Sequence, residues 1–240
     1  MSNKKLMICI GAAAVLIMAS NANAYKAIDV VNGGSISGKI SFKGTVPANP
    51  KLEITKDKEI CGSSLTADYY IVDGSGGLKN AVVAIEKIDQ GKAYEKKDII
   101  AFDNKKCMFV PHVTTAVKGQ KLGINNSDPV LHNTHLYHGK KLKTMYNIAL
   151  PLQDRVIKKP LRKDGVVTVK CDAHEWMLGY VYVVKHPYSV VTAADGGFTL
   201  SDVPAGSYKV KVWHEKLGET TQNVTVVAGG TATLNHSFGK

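Results

Sequence analysis

Lys170-Cys171-Asp172-Ala173-His174-Glu175-Trp176-Met177-Leu178-Gly179 is the stretch around which the chain organises itself. It sets a thiol, an imidazole and a thioether in the spacing Cys-x2-His-x2-Met. A β-type run, Val166-Val167-Thr168-Val169, precedes it, and Tyr180-Val181-Tyr182-Val183-Val184 follows it. Short β-branched and aromatic runs of this kind predict strands, so the three donors sit on a loop joining two strands.

A soft thiolate, imidazole nitrogen and a long, weak thioether form the ligand set of a mononuclear blue copper site, once a second imidazole is added. That imidazole must come from elsewhere in the chain. Leu131-His132-Asn133-Thr134-His135 offers it, 39 residues before Cys171, and the Asn133 side chain is placed to lock the loop. The competing reading is a buried free cysteine beside a surface histidine and a core methionine.

The bulk numbers set the compartment. Met1-Ser2-Asn3-Lys4-Lys5 is a basic start, Leu6 to Met18 is an apolar run too short to span a bilayer comfortably, and Ala22-Asn23-Ala24 is a cleavage pattern. Residues 1–24 are therefore read as a Sec-type signal peptide cleaved after Ala24. The mature chain is expected to be periplasmic or secreted, with no transmembrane segment. Losing Lys4 and Lys5 takes the formal charge from +11 to +9. Export argues against nucleic acid as a partner, and the basic surface favours acidic proteins, anionic lipid heads or surface polymers, with simple solubility as the plain alternative.

Of four cysteines, Cys9 leaves with the signal. Cys61, Cys107 and Cys171 remain, an odd number in an oxidising compartment. One disulfide, Cys61–Cys107, plus one metal-bound thiolate, Cys171, accounts for it. Three unpaired or mispaired thiols is the other account.

The rest of the chain reads as strands. Ile36, Ile40 and Phe42 alternate with polar residues over 35–43, and Ala81 to Ile85 is a buried run. A strand is expected from Cys107 to Val117, with a return at Leu122 to Asn125. Residues 139–165 are Lys-rich and irregular, and Pro151 and Pro160 argue against a long helix. From Tyr188 onward, short strands alternate with turns such as Asp195-Gly196-Gly197, a small β-sandwich. His214, Glu215 and His236 within it are read as surface residues.

Two resemblances sharpen this. Phe198-Thr199-Leu200-Ser201-Asp202-Val203-Pro204-Ala205-Gly206-Ser207-Tyr208-Lys209-Val210 resembles the carboxypeptidase regulatory-like domain family. That implies a transthyretin-like sandwich without catalysis of its own. Gly119-Gln120-Lys121-Leu122-Gly123-Ile124-Asn125, followed by Asn126 to His135 and by Cys171-x2-His174-x2-Met177, resembles the cupredoxin family, nearest its short-loop, amicyanin-like branch. The resemblance implies one type 1 copper, with His132, Cys171 and His174 equatorial and Met177 axial. It also makes His174 the electron port. Leu131 stands where many cupredoxins have Pro, and residues 25–106 exceed what a plain cupredoxin needs.

The expectation is thus an all-β chain. An elaborated cupredoxin-like Greek-key barrel or sandwich covers 25–186, and a regulatory-like β-sandwich covers 187–240. The expected task is one-electron transfer with a redox protein, a cytochrome or dehydrogenase, and no catalysis. His112, His135 and Asn133 are candidates for the second sphere or for an altered ligand set. Trp176, Leu131 and Leu178 are the expected apolar docking patch around the ligand edge. Two rivals stay open: a copper enzyme or sensor with an open position using His112, and a surface-assembly protein whose copper is secondary. Structural zinc is disfavoured, since zinc seldom takes Met.

Overall fold

The computed structural model describes residues 24–239, so the expected signal segment lies, but for Ala24, outside the described residues. Those residues form 21 strands and one four-residue helix, Lys58–Cys61. Among them no helix is long and apolar enough to cross a membrane.

Two sheets make the first sandwich. One runs in the order Ile157–Pro160, Lys121–Asn126, Ile99–Lys105, Met108–Val110. The other runs Lys143–Leu150, His132–His138, Gly165–Lys170, Leu178–Val184, Val113–Val117. Strict two-residue alternation sends one face of each strand inward. His132, Thr134 and Leu136 point in from one strand, and Val167 and Val169 from the next. They close on Phe102, Leu122 and Ile124 of the facing sheet.

Two local expectations change. Residues 107–117 are not one strand: Met108–Val110 pairs with Ile99–Lys105, whereas Val113–Val117 joins the other sheet beside Leu178–Val184. Pro111, which has no N–H to give a ladder, stands at the crossing. Residues 139–165 hold two strands, Lys143–Leu150 and Ile157–Pro160, each at a sheet edge.

The expected boundary at 186/187 does not divide the packing. The second sandwich sets Ser189–Val191, Val82–Ile85, Gly206–His214 and Gly218–Val226 in one sheet. The other centres on Gly34–Lys43, which pairs with Gly197–Val203, Thr231–Thr233 and His236–Gly239. Strands from the N-terminal part therefore complete it, and Ile36, Ile40, Val83 and Ile85 lie in its core beside Val210 and Val212. Alternation had marked 34–43 as half-buried without saying against what.

Val82–Ile85 is buried at every position because it serves two cores. Val83 and Ile85 face the second sandwich. Val82 and Ala84 face a seam with Val113, Val117 and Val184 of the first, lined by Tyr180, Tyr182 and Trp213. The seam covers the outward face of the five-stranded sheet on its 113–117 and 178–184 side.

Candidate metal centre

The loop after Gly165–Lys170 and the start of His132–His138 meet at one end of the first sandwich. His132, Cys171 and His174 are buried there, and one donor atom from each lies within 4.8 Å of the others. Cys171 Sγ stands 3.6 Å from His174 Nδ1 and 3.9 Å from His132 Nδ1, and the two Nδ1 atoms are 2.9 Å apart. Met177 is buried beside Cys171, and its N–H donates to the His174 carbonyl, closing the loop into a turn.

Two carboxylates orient the imidazoles. His132 gives its Nε2–H to Asp128 Oδ2 at 3.0 Å, and His174 gives its Nε2–H to Asp57 Oδ2 at 2.8 Å. Both protons are thus committed on the far side of the rings. Both Nδ1 lone pairs, and the Cys171 sulfur, aim at one buried point. Such a carboxylate behind each imidazole is the usual support of a metal-ligating histidine.

Burial acts on two of the donors. Burial pulls the His132 pKa below its ordinary value, only partly opposed by the Asp128 hydrogen bond. Burial also raises the Cys171 thiol, against N–H donation from Asn133, Ala173 and His174. Two lone pairs facing each other at 2.9 Å repel, and a buried thiol resists ionising. A soft cation removes both difficulties by accepting the lone pairs and holding the thiolate.

Asn133 ties the two ligand segments together. Its N–H donates to Cys171 Sγ at 3.4 Å, and its Oδ1 accepts the N–H of Asp172 and Ala173. Asp128 does the same at the other side. Besides His132 it accepts the N–H of Lys106 and Cys107, both in left-handed backbone. It thereby pins the turn between Ile99–Lys105 and Met108–Val110 to the site. Neither the Asp57 nor the Asp128 role was legible in the sequence.

An insertion closes the His174 edge. Lys51–Glu53 pairs antiparallel with Ser64–Thr66, and the helix Lys58–Cys61 lies between. Asp57, just before the helix, reaches His174. Cys61 is disulfide-bonded to Cys107, with Cα atoms 5.4 Å apart, which fastens this flap over the site. Trp176 packs under it against Ile54 and the disulfide and donates Nε1–H to the Cys107 carbonyl at 3.1 Å. The apolar docking patch is therefore broken up. Trp176 is covered by the flap, Leu178 is half-buried, and of the three only Leu131 is fully in the open, 48% exposed. The port expected at His174 is likewise covered, for His174 is fully buried.

His112 does not face the three donors. Its Nε2 pairs with Glu215 of the second sandwich, and its ring meets Tyr180 edge-on in the seam. The Glu215 side chain, read as a surface residue, is buried there, and His214, read likewise, is buried beside Tyr70 and Phe238. Glu215 is drawn in by the register that carries Gly206–His214 against Val82–Ile85. His135 lies on the outward side of its strand. It bonds Asp172 through Nδ1 at 3.0 Å and stacks on Tyr137, away from the donors.

The centre thus defines a class: a β-sandwich with a buried His-Cys-His donor set and an adjacent Met, fused to a second sandwich. The family profile of the carboxypeptidase regulatory-like domain matches residues 180–238. No curated protein matches the chain. Among solved structures, the chain is similar to a novel purple cupredoxin from Nitrosopumilus maritimus at 21% identity and TM-score 0.31, over 35% of this chain and 98% of that one. It is similar to amicyanin from Paracoccus versutus at 14% identity and TM-score 0.32, over 42% and 97%. A copper-containing nitrite reductase from Thermus scotoductus gives 18% identity and TM-score 0.34, over 40% of this chain but only 24% of the reductase.

Proposed function

We propose that the first sandwich is a periplasmic one-electron carrier holding a single type 1 copper ion. The observation that carries this reading is the pair of Nδ1 lone pairs directed with a sulfur at one buried point. With metal–nitrogen bonds of about 2.0 Å and metal–sulfur bonds of about 2.3 Å, donors sharing an ion stand roughly 3.4–3.8 Å apart. The Cys171–His174 distance falls in this range, the Cys171–His132 distance is just above it, and the two imidazole nitrogens need part by about half an ångström.

His132, Cys171 and His174 would hold the ion, with Met177 as the neighbouring thioether donor. Copper held there would supply Cu(II)/Cu(I) cycling. The chain's own part is to hold the donors still, through Asn133, Asp57 and Asp128, and to keep water out. Cys171 and His174 also form a thiol–imidazole pair, but both are buried, and His112, the candidate for an altered ligand set, is engaged by Glu215. The partner in this reading is an acidic redox protein.

The test is the visible spectrum of residues 25–240 with Cu(II) added and then reduced by ascorbate. An intense thiolate-to-copper band that bleaches on reduction, and is absent in Cys171→Ser, supports the carrier. A weak band would point instead to an open-site copper enzyme or sensor, and no copper-dependent colour would overturn the reading.

A further inference from the structure

Asp128 and His132 belong to a second donor set. A carboxylate oxygen of Asp128, a ring nitrogen of His132 and the Cys107 sulfur lie within 4.8 Å of one another, and all three residues are buried. Asp128 stands behind His132 Nε2 at 3.0 Å, so Nε2 is the nitrogen that this set draws on. The set at Cys171 draws on Nδ1. The imidazole of His132 thus stands between the two sets, with a ring nitrogen turned to each.

The Cys107 sulfur is bound to Cys61, but the bridge is not what places Cys107. Its N–H donates to Asp128 at 2.8 Å, and its carbonyl accepts the Trp176 indole N–H at 3.1 Å. A Cys107 thiol freed of Cys61 therefore stays beside Asp128 and His132. Thiolate, carboxylate and imidazole, without a thioether, are the donors that zinc takes, with water in the fourth place and bonds of about 2.0–2.3 Å. Donors around such an ion stand roughly 3–4 Å apart, so the set has only to contract slightly.

The ring couples the two sets. A neutral imidazole carries its proton on one nitrogen, and only the other nitrogen can bind metal. With Nε2–H given to Asp128, Nδ1 is free for the Cys171 set. With a cation on Nε2 the proton sits on Nδ1, where it donates to His174 Nδ1 at 2.9 Å. That hydrogen bond takes both nitrogens of the Cys171 set away from a metal.

We propose, resting on the copper-carrier reading, that the chain with Cys61 and Cys107 reduced binds a zinc-type divalent cation through Cys107, Asp128 and His132 Nε2, and that formation of the disulfide expels this cation and opens the Cys171 set to copper. The oxidant is a second disulfide, acting by thiol–disulfide exchange. Two electrons pass from the Cys61 and Cys107 sulfurs into its sulfur–sulfur bond. It leaves as a dithiol with the Cys61 proton and one proton from solvent, and the zinc ion is released. The His132 proton then returns to Nε2. The bridge is thereby a gate on metal choice as well as a fastening.

The experiment uses the mature chain, residues 25–240, without Cys171. Cys61→Ser/Cys171→Ser keeps Cys107 as its only thiol, and bridged Cys171→Ser keeps none. With Co(II) as the probe, the first form is expected to give thiolate charge-transfer and tetrahedral bands that saturate at about one ion per chain and vanish on adding Zn(II). The bridged form is expected to give none. Nitrogen-15 spectra should place the His132 proton on Nε2 in the bridged form and on Nδ1 in the Zn(II)-loaded form. Reduced Cys171→Ser, loaded with Zn(II) and treated with glutathione disulfide, should release zinc to a dye in step with bridge formation. This form keeps both flap thiols and gives the same Co(II) reading should the double variant fail to fold. No thiolate band in either thiol form would overturn the site. A His132 proton still on Nε2 with zinc bound, or zinc retained after the bridge forms, would overturn the gate. Absence of copper-dependent colour in the unaltered chain would sink the carrier reading alone, since none of these forms contains Cys171.

Discussion

Asp57 accepts the Nε2–H of His174 at 2.8 Å across 117 residues of sequence. A carboxylate of the flap is thereby coupled to an imidazole that is fully buried. Its negative charge favours the more positive state of anything bound at Nδ1. Asp57→Asn keeps the shape and removes the charge. The reduction potential of the copper form is expected to rise by about 40 mV, equivalent to about 1 kcal/mol for a half-exposed charge near the ion. Protein-film voltammetry measures it, and an unchanged or lower potential would contradict this role.

Asp128→Ala removes three hydrogen bonds at once, from Lys106, Cys107 and His132. The Cys107 N–H and the His132 ring N–H are then buried without partners. A loss of about 2–4 kcal/mol of stability is expected, with copper affinity down about 10- to 100-fold. Urea unfolding and competition with a copper chelator check the two parts separately.

Cleaving the Cys61–Cys107 bridge opens a loop of 46 residues. Loop-closure entropy puts the cost of Cys61→Ala/Cys107→Ala at about 4 kcal/mol. Tryptic cutting at Lys56 and Lys58 should become rapid while the rest of the fold persists. Equal protection in the bridged and unbridged forms would show that the flap is held by other contacts.

Burial holds His186 and His214 well below their ordinary range, each with a pKa of about 4. Between that value and the unfolded value near 6.5, the unfolded chain binds more protons than the folded one. Stability is therefore complete above pH 6.5 and is lost as pH falls towards 4. A drop of about 3 kcal/mol per histidine is the ceiling of the effect. His186→Gln should flatten the slope of urea midpoint against pH over this window.

A fragment of residues 187–240 lacks Gly34–Lys43 and Val82–Ile85, the strands on which its own strands pair. It is expected to give no cooperative transition by circular dichroism. In the full chain, Gly38→Ala drives a methyl into the Leu234 carbonyl, 1.8 Å from an ideal Cβ, and should destabilise the second sandwich by several kcal/mol. A folded fragment would restore the boundary expected at 186/187.

The donors were legible because they are close in sequence. Cys171, His174 and Met177 share one turn, and His132 is announced by its asparagine-rich approach. The Cys61–Cys107 pairing followed from counting. Asp57 was not legible, since Thr55-Lys56-Asp57-Lys58-Glu59 reads as any solvated charged turn. His112 and Glu215 were misplaced for a related reason: each sits at a strand end, and only the docking of two sandwiches buries it. The strands at 34–43 and 82–85 were recognised as strands and assigned to the wrong body. Two-residue alternation says which side of a strand is covered, not which part of the chain covers it.

That assignment has a consequence for how the chain is made. Ser35 and Thr231, 196 residues apart, lie side by side in one sheet. The first strand of the second sandwich to leave the ribosome is among the last to find its neighbours. Until residues 197–239 follow, Ile36 and Ile40 have no sheet to enter, and Val83 and Ile85 have only half of theirs. The first sandwich draws its own strands from the continuous stretch 99–184, so it can close while this early segment waits. Maturation of the molecule is then paced by its tail, and a chain truncated by even its final strands would leave an adhesive edge at its beginning.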